Sequence, residues 1–130
     1  MPVASHPLHH FPHPAWSLYS KWYAYSLSHR HHPLQDENGN IGKRDAEITK
    51  NKMRTILRIG LLHGHDSIVL GAFGCGAFRN PPRSFARLFH EIINEAEFKN
   101  KYRLIAFAIL EDHNSPRGGN LQPFLDEFRE

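Results

Sequence analysis

At 130 residues the chain has room for one small domain with a modest core, and its 40% hydrophobic and 22% charged content is that of an ordinary globular protein. A formal charge of +3, spread over scattered basic residues, reads as a solvated surface and not as a nucleic-acid face; no apolar run approaches the ~20 residues of a membrane span. The single cysteine, Cys75, excludes an internal disulfide framework and a cysteine-built zinc cluster and suits a reducing compartment, cytoplasmic or nuclear.

Residues 1–44 differ from the rest and are read as a low-complexity or irregular segment, His/Pro-rich and disordered. The first forty hold seven of the eleven histidines and five of the nine prolines. Prolines at 2, 7, 12, 14 and 33 oppose regular structure. His9 and His13 have helical spacing, but Pro12 and Pro14 flank it, so these histidines are assigned no metal. Trp16–Leu27 is rich in aromatics and suits a short helix or strand. Asp36-Glu37-Asn38-Gly39-Asn40 reads as a turn or linker. The start of the chain lacks the basic opening and continuous apolar stretch of a signal peptide.

Residues 45–130 carry the periodic patterns. From Asp45 to His63, Ile48, Met53, Ile56, Leu57 and Leu61 recur mainly at three- and four-residue steps, with Lys50, Lys52, Arg54 and Arg58 on the opposite side, which predicts an amphipathic helix. His63-Gly64-His65-Asp66 supplies its stop. Ser67–Ala72 is a short apolar strand, broken by Gly71, Gly74 and Gly76 into a tight loop that ends at Asn80-Pro81-Pro82. A second helix runs from Pro82 to Glu97, its apolar face built from Phe85, Ala86, Leu88, Phe89, Ile92, Ile93 and Ala96. Tyr102–Leu110 is apolar almost throughout, as a strand covered on both faces would be. Glu111–Asn120 is a polar loop, and Asn120 is placed to cap a last helix through Leu121, Phe124, Leu125 and Phe128.

Strand, helix, strand in this order predicts a right-handed βαβ unit with parallel strands. Both the glycine loop and the 111–120 loop then leave the carboxyl edge of the sheet, where open α/β folds bind ligands. Glycine admits a close ligand, and the first N–H groups of a helix lack intrahelical partners, so the loop suits a phosphate or diphosphate. A Walker loop is excluded, because Phe78-Arg79-Asn80 stands where Gly-Lys-Ser/Thr is required. A dinucleotide fingerprint begun at Gly74 and Gly76 would need its third glycine at Arg79. Arg79 and Arg83 are read as solvated cations within reach of a phosphate. Cys75 has no histidine placed by sequence to activate it and is read as a small residue the loop tolerates.

The stretch GAFGCGAFRNPP, preceded by VL and followed further on by FAIL-x-D, resembles the microbial-type poly(ADP-ribose) glycohydrolase family of macro-domain proteins, over about Met53 to Phe128. The resemblance implies a partial macro-domain-like three-layer α/β sandwich, a βαβ core with flanking helices, and residues 45–130 as the C-terminal half of such a catalytic domain. It implies an ADP-ribose or poly(ADP-ribose) ligand and no cofactor. Backbone groups of Gly74, Cys75, Gly76 and Ala77 would wrap the diphosphate, with Phe78 against the ribose. Gly71, Asn80, Asp112 and Asn120 would be further ligand contacts.

The family takes its catalytic acid from a Gly-Gly-Gly segment followed by Gln-Glu-Glu, upstream of the loop. No such glycine run precedes Gly71, and Gln35-Asp36-Glu37 is rejected as the acid. No catalytic residue is therefore assigned, and the expectation is a truncated or inactive relative whose exposed sheet edge invites self-association. The competing expectation is a non-enzymatic α/β interaction module whose glycine loop is structural.

Overall fold

A computed structural model of the chain describes residues 35–76 and 78–129. The His/Pro-rich segment, the aromatic stretch Trp16–Leu27 and Ala77 lie outside the described residues.

Helix α1, Lys43–Leu62, buries Thr49, Met53, Ile56, Leu57 and Gly60, a stripe at helical spacing. It stops where Gly64 takes φ +75° and the His65 N–H turns back to the Gly60 carbonyl. Strand β1 is Ser67–Leu70, helix α2 is Pro82–Ile93, strand β2 is Leu104–Phe107, and helix α3 is Leu121–Glu127. The strands pair in parallel, Ile68 opposite Ile105 and Leu70 opposite Phe107. The expected βαβ unit is thus present, in an α/β arrangement.

Three elements are shorter than the apolar patterns. The run 102–110 contributes only four residues to the ladder because its partner stops: Gly71 turns away, and the Ala108 N–H makes the last inter-strand bond, 2.7 Å from the Leu70 carbonyl oxygen. β1 ends for the same reason, before Gly71 and Ala72. Helix α2 ends at Ile93, not Glu97, as the Asn94 side-chain amide donates to the His90 carbonyl and the chain continues in tight turns to Asn100, with Phe98 buried.

One face of the sheet is packed. Leu70, Ile105 and Phe107 join Phe85 and Phe89 of α2, Met53 and Leu57 of α1 and Phe124 of α3 in a single core. Phe89 meets Phe107 edge-on at 5.4 Å, and Phe107 meets Phe124 at 5.1 Å. Val69 and Leu104 lie exposed on the other face. The described residues therefore supply the sheet and one helical layer of a partial three-layer sandwich. β2 is covered on one face only among them, and not on both as its composition suggests.

The basic flank of α1 is not simply solvated. Lys50 pairs with Glu91 at 2.6 Å, Arg54 grips both oxygens of Glu95, and Arg58 grips both of Glu97. These rungs tie α1 to α2 and to the turns after it. The Arg54 hydrogen bonds hold the Glu95 carboxyl below its usual value of 4.5. The contribution of this pair is accordingly whole above pH 4.5 and is lost as pH falls through the lower, folded value. Glu95→Gln should reduce stability near neutrality by about 0.5–1 kcal/mol, and urea unfolding should show a smaller deficit at about pH 3.

Gly60 sits under Tyr102, whose hydroxyl donates to the Leu57 carbonyl at 2.6 Å. A Cβ at Gly60 would press into that hydroxyl. Alanine gains about 1 kcal/mol in helix propensity, but overpacking of this kind costs about 1–3 kcal/mol. Gly60→Ala is therefore expected to destabilise on balance. Tyr102→Phe should cost less in the Gly60→Ala background than in the parent, and a double-mutant cycle by urea unfolding measures that coupling.

Candidate functional site

Two loops leave the carboxyl ends of the strands, and each is held mainly by its own backbone. In the first, the Cys75 N–H closes onto the Ala72 carbonyl at 2.9 Å, and the Asn80 N–H returns to Gly74 at 2.9 Å. Gly74 adopts φ +72°, which costs glycine nothing. Arg79 adopts φ +53°, uncommon for a side-chain-bearing residue, and its N–H is fixed to the Gly76 carbonyl at 2.8 Å. Arg79, which breaks the dinucleotide pattern in sequence, thus takes a backbone conformation that glycine favours. Asn80 is buried; its amide nitrogen reaches the Phe73 carbonyl at 3.4 Å, and its Oδ1 has no partner among the described residues.

In the second loop, Asp112 accepts from the Asn114 N–H at 2.8 Å, and the Ser115 hydroxyl accepts from the Asp112 N–H at 2.9 Å. The cap of α3 departs from expectation. Asn120 makes no side-chain cap bond; its amide reaches Ser115 Oγ at 3.4 Å, and Glu111 instead accepts the Leu121 N–H at 2.5 Å. A carboxylate from ten residues back reaches the helix start because the loop folds onto itself, leaving Asn120 buried inside the fold-back.

A third wall comes from the turn at 35–41. Asp36 Oδ1 accepts the N–H groups of Asn38 and Asn40, which keeps its carboxyl below the ordinary range through the Asn40 bonds above all. Gln35 and Ile41 bridge antiparallel, and the Ser84 hydroxyl holds the turn to α2 through the Gly39 carbonyl at 3.4 Å.

The three walls enclose a cleft of about 770 Å³. Gly76, Arg79, Asn80 and Arg83 line one side, and His113 and Asn114 face them. None of the described lining residues is a carboxylic acid. The cleft is thus cationic, and it suits an anion.

Of the residues singled out in sequence, Cys75, Gly76 and Asn80 line the cleft. Gly74 shapes the loop behind it, and Gly71 packs by the Ala108 carbonyl. Phe78, Asp112 and Asn120 are not among the lining residues, and Ala77 lies outside the described ones. Among the backbone donors, the Cys75 N–H is already committed to Ala72, whereas those of Gly74 and Gly76 have no partner among the described residues. Pro81 and Pro82 remove two donors from the start of α2. Sequence reasoning passed over Gln35, Asn38, His113 and Asn114. No motif marks them; the parallel strands place the loop of His113 and Asn114 at the right edge, and only the fold brings Gln35 and Asn38 to it.

The fold has counterparts among solved structures. A variant of the Deinococcus radiodurans poly(ADP-ribose) glycohydrolase in complex with ADP-ribose matches with TM-score 0.59 and 24% identity, over 74% of this chain and 48% of that one. The Thermomonospora curvata glycohydrolase bound to the inhibitor ADP-HPD matches with TM-score 0.59 and 21% identity, over 73% and 45%. The chain has the fold of bacterial poly(ADP-ribose) glycohydrolases. It spans about half the length of those structures. No family model and no curated protein sequence matches it.

The same D. radiodurans enzyme in its apo form matches with TM-score 0.57 and 24% identity, over 72% of this chain and 48% of that one. The glycohydrolase likeness read from GAFGCGAFRNPP therefore holds at the level of fold.

Burial pushes the Cys75 thiol up to about 12 from an ordinary 9.0, so it remains protonated and is no nucleophile. The proton it retains makes stability complete below pH 9 and erodes it as pH rises from 9 toward about 12, at about 1.4 kcal/mol per pH unit. Iodoacetamide should alkylate Cys75 far more slowly in the native chain than in urea, with mass spectrometry counting the adducts. Cys75→Ala should flatten the alkaline fall in the melting temperature.

Proposed function

We propose that the chain binds ADP-ribose, free or at the end of poly(ADP-ribose), in the cleft between the glycine loop and the 111–120 loop, and does not hydrolyse it unaided. One observation carries this reading: on a fold with a solved counterpart in complex with ADP-ribose, the cleft is lined by two guanidinium groups and by Gly76, whose N–H has no partner among the described residues, with no carboxylate among its described lining residues. The diphosphate is placed at Gly74 and Gly76 with Arg79 and Arg83 as counter-charges, and Phe78 rests against the adjoining ribose. Asp112, exposed on the 111–120 loop, stands toward the adenosine end, whereas Asn120 is buried within that loop. The lone, buried Cys75 accords with a reducing compartment, cytoplasmic or nuclear.

Cleavage is a separate requirement. A glycosidic bond needs a carboxylic acid within hydrogen-bond reach of the leaving oxygen and a second group to develop or deliver the nucleophile. The carboxylates of the adjoining loop are otherwise engaged: Glu111 holds the start of α3 and Asp112 holds Asn114. Binding without turnover follows.

Calorimetric titration with ADP-ribose should give saturable heat that weakens with added salt. Arg79→Ala with Arg83→Ala should reduce affinity at least about tenfold, equivalent to about 1.4 kcal/mol. No heat at millimolar ligand would refute the site and favour a purely structural loop. Release of ADP-ribose from poly(ADP-ribose) by the purified chain would refute the absence of turnover.

A further inference from the structure

Among the described residues the sheet has one packed face and one bare one. Val69 is 51% exposed and Leu104 39%, on the side opposite Leu70, Ile105 and Phe107. Ala106 shares this face within the ladder, and past it the alternation runs on through Ala108 to Leu110, 80% exposed. Apart from Ser67 at the start of β1, every side chain in this row is apolar. A strand face meant for water carries polar residues at these positions, so this one is built to be covered.

We infer that Trp16–Leu27 of the same chain covers it. Thirty-four residues precede Gln35, and Gln35 lies on the cleft wall beside Cys75 and Gly76, at the carboxyl end of β1. From Leu27 the intervening residues can span about 25 Å, whereas a four-residue strand is about 13 Å long. The segment reads WSLYSKWYAYSL, with two tryptophans, three tyrosines and a single charge at Lys21. Its aromatic rings offer large apolar area, and their polar edges can stay at the wet rim of the face. Tethering gives this segment an effective concentration that a second copy lacks in dilute solution.

Both tryptophans of the chain, Trp16 and Trp22, fall in this segment, so intrinsic fluorescence reports on it alone. The intact chain should emit at the short wavelengths of buried indole and resist acrylamide quenching. Val69→Glu with Leu104→Glu should shift that emission to the water-exposed position while the cooperative melt of the helical core persists. Trp16→Ser with Trp22→Ser, which leaves the sheet untouched, should raise the binding of an apolar fluorescent dye. Water-like emission from the intact chain overturns the inference, as does shielded emission that survives the two charges. Shielding that appears only as concentration rises, with a dimer in light scattering, also overturns it and assigns the face to a second copy.

Discussion

Phe85 and Phe89 stand one turn apart on α2, both fully buried, and Phe89 meets Phe107 across the βαβ crossover. A two-stranded parallel sheet of four-residue strands has too few ladder bonds and too little apolar area to persist alone in water. Burying each of these rings contributes about 1.5–3 kcal/mol, and together they fix α2 against the sheet. The rest of the chain attaches to that unit. α3 is placed by Phe124 on Phe107, and α1 by Met53 and Leu57, with the Lys50, Arg54 and Arg58 rungs setting its register. The apolar contacts dominate the energy. The ion pairs are mainly solvent-facing, and their value lies in orientation.

The cleft inherits its position from this unit. Because the strands are parallel, both exit loops must emerge at the same edge, and because α2 packs tightly, its first turn cannot drift from the end of β1. Arg83 is therefore held at the cleft mouth by a helix whose far side is locked in the core, and Arg79 by the loop that leads into it. The loop itself makes little use of that core. Its shape comes from returns of its own N–H groups to Ala72, Gly74 and Gly76, with Asn80 buried beneath. A loop closed by its own backbone hydrogen bonds, with the Gly74 and Gly76 N–H groups left over, needs less ordering when a ligand binds.

Much of this was legible from residue types alone. The helical period of Phe85, Leu88, Phe89 and Ile92 marks α2, and the apolar run around Ile105 marks β2, because each pattern is local. Strand ends were not legible, since pairing stops where the partner turns: nothing in Ala108-Ile109-Leu110 announces that Gly71 has left the ladder. Lys50, Arg54 and Arg58 carry the same signature whether they face water or Glu91, Glu95 and Glu97. Asn120 has the residue type of a helix cap, yet Glu111 performs that task because the loop between them doubles back. The cleft was legible on the side written as GAFGCGAFRNPP, and the parallel strands placed the 111–120 loop at the same edge, though not which of its residues line the cleft. The third wall, Gln35–Gly39, joins only through tertiary folding.

The charge of the cleft separates binding from chemistry. Two guanidinium groups beside unpartnered N–H donors favour an anion and, by the same field, would lower the pKa of a carboxylic acid brought among them. A general acid for glycoside cleavage must hold its proton near neutral pH, which calls for an apolar or anionic setting. The acid and the diphosphate cradle are therefore best kept apart, on different walls of a site large enough to hold a ribose between them. In this chain the described walls supply two guanidinium groups, and the carboxylates of the adjoining loop, Glu111 and Asp112, accept from the backbone N–H groups of Leu121 and Asn114. Among the described residues the arrangement suits holding an anion.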